Sequence, residues 1–160
     1  MSASRMSLIA ALEQTNQTLV RLTSALSDQA LDFHPAAQEW SIREVLAHFV
    51  DDEIYIMRLR LERIVKEERP HLAPHDEKAW HASRNTTRDH LNELLSDFAL
   101  QRSASLGMLK MLRESDWTRQ GYQPEYGWFT AEGWLERWVE HDTVHLQQIE
   151  KTLSAYQLAG

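Results

Sequence analysis

Apolar residues recur along this chain at spacings of three and four, the period of a helix rather than of a strand. Leu8, Leu12, Thr15, Leu19, Leu22 and Leu26 form one narrow seam, which predicts a first helix over residues 4–27. Ser41 followed by Glu44 has the form of a capping box. It opens a second helix with Ile42, Val45, Phe49, Ile56 and Met57 on its apolar face. No breaker intervenes before Pro70, so this helix is expected to reach about Glu68, a length of about 40 Å. Leu91, Leu94, Leu95, Phe98, Leu106, Leu109 and Leu112 make a third stripe. Asn85 or Thr86 is a suitable cap for it, and its end is expected near Glu114 or Ser115. Thr130 opens a fourth helix running to about Tyr156, with Trp134, Trp138, His141, His145, Ile149 and Thr152 along one side.

Four amphipathic helices of similar length, without a repeat or a linker, predict an all-α four-helix bundle forming one domain over residues 1–160. The connections are roughly 13 to 16 residues long, whereas antiparallel neighbours need only about 2 to 8. Each is long enough to cross the whole bundle and join two parallel helices, but length alone requires this at none of them.

Composition narrows the function classes. The chain has 160 residues, 42% of them hydrophobic and 26% charged, as in an ordinary globular protein. It contains no Cys, which excludes a disulfide scaffold, a thiolate metal site and a cysteine nucleophile. A net charge of −7 argues against non-specific binding to nucleic acid or to an anionic membrane. No apolar run approaches the roughly 20 residues of a membrane span, and the first residues lack the apolar core of a secretion signal. A cytoplasmic location is the expectation.

Four of the eight histidines stand out as two pairs four residues apart, His71/His75 and His141/His145. The first pair flanks Pro74 and follows Pro70, so it belongs to a loop. The second lies in uninterrupted helix, where both rings project from one face and can bind one metal ion, or serve as hydrogen-bonded core histidines. His48, at the border of the apolar face of the second helix, is the candidate third ligand. Three imidazoles on one ion leave positions open for water or substrate, as in a catalytic site.

The segments EWSIREVLAHFVDDE, from Glu39 to Glu53, and EHDTVHLQQIEKTL, from Glu140 to Leu153, resemble the two signatures of the DinB/YfiT-like family. There a Trp-Ser opens the second helix and a His is followed by an Asp three residues on, here Trp40-Ser41 and His48 with Asp51. The fourth helix carries His-Asp-x-x-His and a Gln-Ile, here His141-Asp142, His145 and Gln148-Ile149. The resemblance implies a four-helix bundle with a long crossover and a divalent metal ion, Zn, Ni, Fe or Mn, on His48, His141 and His145. Members of the family include metal-dependent transferases that use a low-molecular-weight thiol, thiol-dependent isomerases and hydrolases. The preferred expectation is thiol transfer to an electrophilic small-molecule substrate, with the thiol supplied from outside. The alternatives are hydrolysis by metal-bound water and a non-enzymatic metal- or ligand-binding bundle.

Asp51 and Asp52 are the candidate catalytic carboxylates, able to orient an imidazole or act as a general base. Asp51 fits the family pattern, and Asp52 lies one turn beyond His48. Trp80, Trp117 and Trp128, with Tyr122 and Tyr126, could line a substrate mouth or pack loops onto the bundle. Arg119, Arg137 and Lys151 could meet an anionic cosubstrate or be ordinary surface charges. An exposed apolar helix face is compatible with a homodimer.

Overall fold

The computed structural model describes residues 3–160. In chain order the elements are α1 (Ala3–Thr23), α2 (Asp28–Leu31), α3 (Ile42–Asp52), a π-helical segment (Glu53–Met57), α4 (Arg58–Lys66), α5 (Glu77–Ser83), α6 (Leu91–Met111), a 3-10 turn (Glu114–Asp116), β1 (Gln120–Gln123), β2 (Gly127–Thr130) and α7 (Ala131–Ala159). Four long rods make the bundle: α1, the continuous run from α3 through α4, α6 and α7.

Cross-links between the rods fix their directions. Arg5 reaches Glu132 and Thr15 reaches Asp142, so α1 and α7 are parallel. Arg102 binds the Leu12 carbonyl while Arg5 pairs with Glu114, so α6 runs against α1. Phe49 packs on Phe98 and Arg58 binds the Gln101 carbonyl, so the second rod and α6 are parallel. His48 meets His145, and Trp134 Nε1 donates to the Met57 carbonyl, so α7 runs against the second rod. The order is therefore up, down, down, up. The long crossover is the middle connection, residues 67–90, which joins the two parallel rods. Among the described residues no helix is long and apolar enough to cross a membrane.

The caps on α3 and α7 follow the sequence expectation. Ser41 and Glu44 form the reciprocal capping box, and the Thr130 hydroxyl accepts from Gly133 N–H at 3.0 Å. Other boundaries move for local reasons. The first helix stops at Thr23, whose hydroxyl bonds back to the Leu19 carbonyl, and Ser27 caps the separate short α2. The third helix starts at Leu91 rather than near Asn85, because Asn85 Oδ1 is used in a turn that accepts from Thr87 N–H and Oγ1. The second rod holds residues 45, 49, 53, 57 and 61 on its buried side, a spacing of four throughout. A straight α-helix would carry that series steadily around its axis, at about 40° per step; the π-helical segment takes up the drift.

Two features were not anticipated. The crossover contains α5, capped by Asp76, whose carboxylate accepts from Ala79 N–H at 3.1 Å. Before α7 the chain makes an antiparallel hairpin, with Gly121 opposite Phe129 and Tyr122 opposite Trp128. Tyr122 exchanges backbone hydrogen bonds with Pro70 and Leu72, which ties the crossover to the hairpin. Gly121 is required there: a Cβ would sit 2.9 Å from Ile64 Cγ1.

The apolar core is in two halves. One gathers Leu12, Met57, Leu61, Leu109, Trp117 and Trp138; the other gathers Leu19, Val45, Phe49, Leu94, Phe98 and Ile149. Between them lies a buried polar layer with one member from each rod: Thr15, Glu53, Arg102 and Asp142.

Candidate metal centre

His48 and Asp52 stand one turn apart on α3, and His141 and His145 one turn apart on α7. The rods are antiparallel neighbours, so the two pairs meet. His48 Nε2 lies 3.1 Å from His141 Nε2 and 3.0 Å from His145 Nε2. Bonds of about 2.0–2.1 Å to one ion put neighbouring nitrogens about 2.9 to 3.4 Å apart, depending on octahedral or tetrahedral geometry. The histidine set fits a divalent cation on that measure. His145 Nδ1–H donates to Gln148 Oε1 at 2.8 Å, which leaves Nε2 with its lone pair facing the other two rings.

Carboxylates and a fourth imidazole surround the same point. Asp52 Oδ2 is 3.2 Å from His141 Nε2 and 3.4 Å from His48 Nε2. Asp52 Oδ1 is 3.3 Å from His75 Nε2, and Glu77 Oε2 is 3.6 Å from His48 Nε2. Asp52 Oδ1, His75 Nε2 and His141 Nδ1 are buried without a hydrogen-bond partner. Such a cluster of unpaired polar atoms is the environment an ion and its water would satisfy.

The polar layer abuts this centre. All five N–H groups of Arg102, which is 2% exposed, have acceptors: two oxygens of Glu53, two of Asp142 and the Leu12 carbonyl. Trp138 Nε1–H and the Thr15 hydroxyl donate to the same two carboxylates. Asp142 Oδ1 also lies 3.7 Å from His141 Nδ1. Burial drives the His48 pKa down to about 3, with Asp52 opposing and the other histidines adding to the fall. Burial likewise lowers His145. Burial works against charge on His141 too, but Asp142 and Asp52 outweigh it and raise its pKa to about 9. Burial would lift Asp52, yet the histidines hold it below the usual carboxylate value. Of the three rings, His141, between two carboxylates, is therefore the one whose surroundings favour the charged form.

The centre opens into a cleft of about 710 Å³ between α4, α7, the crossover and the hairpin. Ile56, Met57 and Trp134 form its apolar wall, and Arg60, Tyr126 and Arg137 lie further along.

The family model of the DinB superfamily matches residues 11–149. The chain belongs to the DinB superfamily. YuaE of Bacillus subtilis (strain 168), an uncharacterized protein, is 26% identical over 141 residues, covering 79% of this chain and 85% of YuaE. YfiT of the same organism, described as a probable metal-dependent hydrolase, is 25% identical over 142 residues, covering 88% of this chain and 79% of YfiT. The solved YfiT structure, described as an unusual four-helix bundle, matches with a TM-score of 0.85 at 23% identity, over 95% of this chain and 87% of that one.

Of the residues singled out in this DinB chain, His48, His141, His145 and Asp52 come together. Asp51 does not. It points to the crossover, where Oδ2 accepts from Trp80 Nε1–H at 2.8 Å and from Arg84 Nε–H at 2.7 Å. His75 is a loop residue, as its prolines imply, but the crossover brings it to the centre along with Glu77. Trp117 is fully buried and Trp80 holds Asp51, so neither lines a mouth. Trp128 and Tyr122 stack with His71 on the hairpin, and only Tyr126 of that aromatic group reaches the cleft. Arg119 binds the Ile64 and Glu67 carbonyls, Lys151 faces Glu39 at the surface, and Arg137 alone of the three borders the cleft. Arg102 and Arg60 were missed, as was the approach of His75 to the histidines; Glu53, a candidate imidazole partner by its place after His48, turns to Arg102 instead. The one signal for Arg102 was the gap between Phe98 and Leu106 in the third stripe, where a core position carries a charge.

Proposed function

We propose that this chain is a divalent-metal-dependent hydrolase of a small-molecule substrate, with His48, His141 and His145 holding the ion. The observation that carries the reading is the Asp52 carboxylate, buried at the point where the three Nε2 atoms converge and at the inner end of the cleft. A divalent cation bound there lowers the pKa of a coordinated water to about 7 and strips a coordinated thiol of its proton outright. Asp52 separates the two chemistries. Held ionised by its histidine neighbours, it can take a proton from an attacking water at Oδ2. A thiol has no need of that acceptor, so hydrolysis ranks above the thiol transfer that the family resemblance first favoured. The His145 ring is oriented by Gln148, and Asp142 faces the far nitrogen of His141 with Arg102 behind it. Ile56, Met57 and Trp134 give the cleft beside the reacting end an apolar wall. The description of YfiT as a probable metal-dependent hydrolase supports the same reading.

The test is elemental analysis of the purified protein followed by assays of ester and amide substrates with and without a glutathione-like thiol. The expected result is turnover that a chelator abolishes, added metal restores and thiol does not accelerate. Turnover that requires thiol would replace hydrolysis by transfer. Failure to take up any divalent metal would leave a non-enzymatic bundle.

A further inference from the structure

Arg60 lies on α4, two turns beyond Asp52 along the second rod, about 12 Å further down the axis. It is 6% exposed and borders the cleft. Its Nη2 donates to the Ala73 carbonyl at 2.7 Å, and its guanidinium stacks on Trp134 with 5.3 Å to the ring centroid. Among the described residues no carboxylate oxygen comes within 4.0 Å of its nitrogens. The other fully enclosed arginine, Arg102, has two carboxylates and a carbonyl on its five donors.

That contrast needs a physical reason. A guanidinium stays protonated, and withdrawing it from water without a counter-ion costs several kcal/mol. One carbonyl, one aromatic face and the nearby Tyr126 hydroxyl do not offset so large a cost. A role confined to packing the loop against Trp134 would be served as well by a neutral donor. Of the carboxylates on the same cleft, Asp52 is engaged by the histidines, and Asp76, Glu77, Glu125 and Glu140 are exposed; Asp52 and Glu125 act on Arg60 only from beyond ion-pair contact. Arg60 lines the cleft, and the wall from there to the histidines includes Ile56, Met57 and Trp134. The cleft thus reads, from one end to the other, as metal-binding, apolar and cationic. Arg137, stacked 4.0 Å over Tyr126, adds a second cation at that end, alongside the exposed Glu125.

We propose that Arg60 anchors the anionic end group, a carboxylate or a phosphate, of an elongated substrate whose reacting centre lies at the histidines. This rests on the hydrolase reading for the reacting end and adds the substrate class. Selectivity for an acidic tail follows from charge-assisted, two-point hydrogen bonding to the guanidinium. The apolar wall then calls for a hydrocarbon middle.

The test uses suberic acid monohydroxamate, its methyl ester and the matching ω-phosphonate, each carrying a hydroxamate for the metal end. Calorimetric titration into the zinc-loaded protein is expected to show the acid binding about tenfold or more tighter than the ester. The phosphonate, compared with the acid, reports which anion fits. Arg60→Gln keeps a donor for the Ala73 carbonyl and should erase the preference while leaving ester affinity unchanged; Arg60→Lys should keep part of it. Equal binding of acid and ester by the wild type, or a preference that survives Arg60→Gln, overturns the proposal. Zinc content of the same samples separates the two readings. Full zinc with no acid preference removes the anion subsite alone. If zinc is not taken up, the hydrolase reading fails, and thermal shifts of the metal-free protein with the same compounds still decide the subsite: an acid preference lost in Arg60→Gln supports it, and none overturns it.

Discussion

Arg102 and Asp142 form a two-point ion pair at the centre of the bundle, with Nη1–Oδ2 at 2.7 Å and Nη2–Oδ1 at 3.0 Å. The pair joins α6 to α7, which face each other diagonally. Glu53 grips the other edge of the same guanidinium, so two carboxylates share one arginine and the layer carries an excess negative charge. That excess lies towards His141 and, with Asp52, favours the charged form of its ring. Arg102→Met keeps the bulk but strands two buried carboxylates. A loss of about 3–5 kcal/mol is expected in urea unfolding. A loss below about 1 kcal/mol would mean that the layer is open to water.

Gln148 tests how far metal affinity depends on the orientation of a candidate ligand. Its Oε1 fixes the tautomer and tilt of His145 without approaching the other two rings. Gln148→Ala is expected to weaken zinc binding about 10–100-fold in competition with a chromophoric chelator. His145→Ala should weaken it further, and His71→Ala, which alters a ring stacked on Tyr122 at the hairpin, should leave it unchanged.

Much of this was legible because helices announce themselves by period and caps by residue type. Ser41, Glu44 and Thr130 cap as their chemistry dictates, and the i,i+4 pair on α7 could face one point in no other conformation than a helix. What stayed hidden depends on contacts distant in sequence. Nothing local distinguishes Asp51 from Asp52; only Arg84 and Trp80, brought over by the crossover, turn one away from the histidines. The hairpin has strands of four residues, too short for alternation to register. His75 was assigned to a loop correctly, but a loop's path over the bundle is not written in its spacing. The pairing of Glu53 with Arg102 is not legible either, because a charge satisfied by another rod has no signature within its own.

The capping box predicts a pH dependence of stability. Burial would raise the Glu44 pKa, but the Ser41 N–H at 2.7 Å and His81 at 3.1 Å hold it below the ordinary value of 4.5. A depressed carboxyl contributes stability above its unfolded pKa and loses it as pH falls through its folded pKa. Glu44→Gln should therefore be less stable than the wild type at pH 7, by about 0.5 kcal/mol given its partial exposure. The gap should close as the pH is taken below 4.5. Urea midpoints of the two proteins measured across that range check the sign; a gap that widens in acid would contradict it.

Asp51 and Asp52 are neighbours in sequence with different partners, so paired substitutions divide catalysis from scaffolding. Asp52→Asn leaves the three imidazoles in place and removes the proton acceptor beside them. Metal content should hold while kcat for hydrolysis falls about 10²–10⁴-fold, with little change in KM. Asp51→Asn instead weakens the hold of Arg84 and Trp80 on the second rod. It should cost about 1–3 kcal/mol of stability and speed proteolysis within residues 67–90, with kcat of the folded enzyme changed only a few-fold. If the two phenotypes are exchanged, the general base is Asp51 and the crossover must swing aside for it to act.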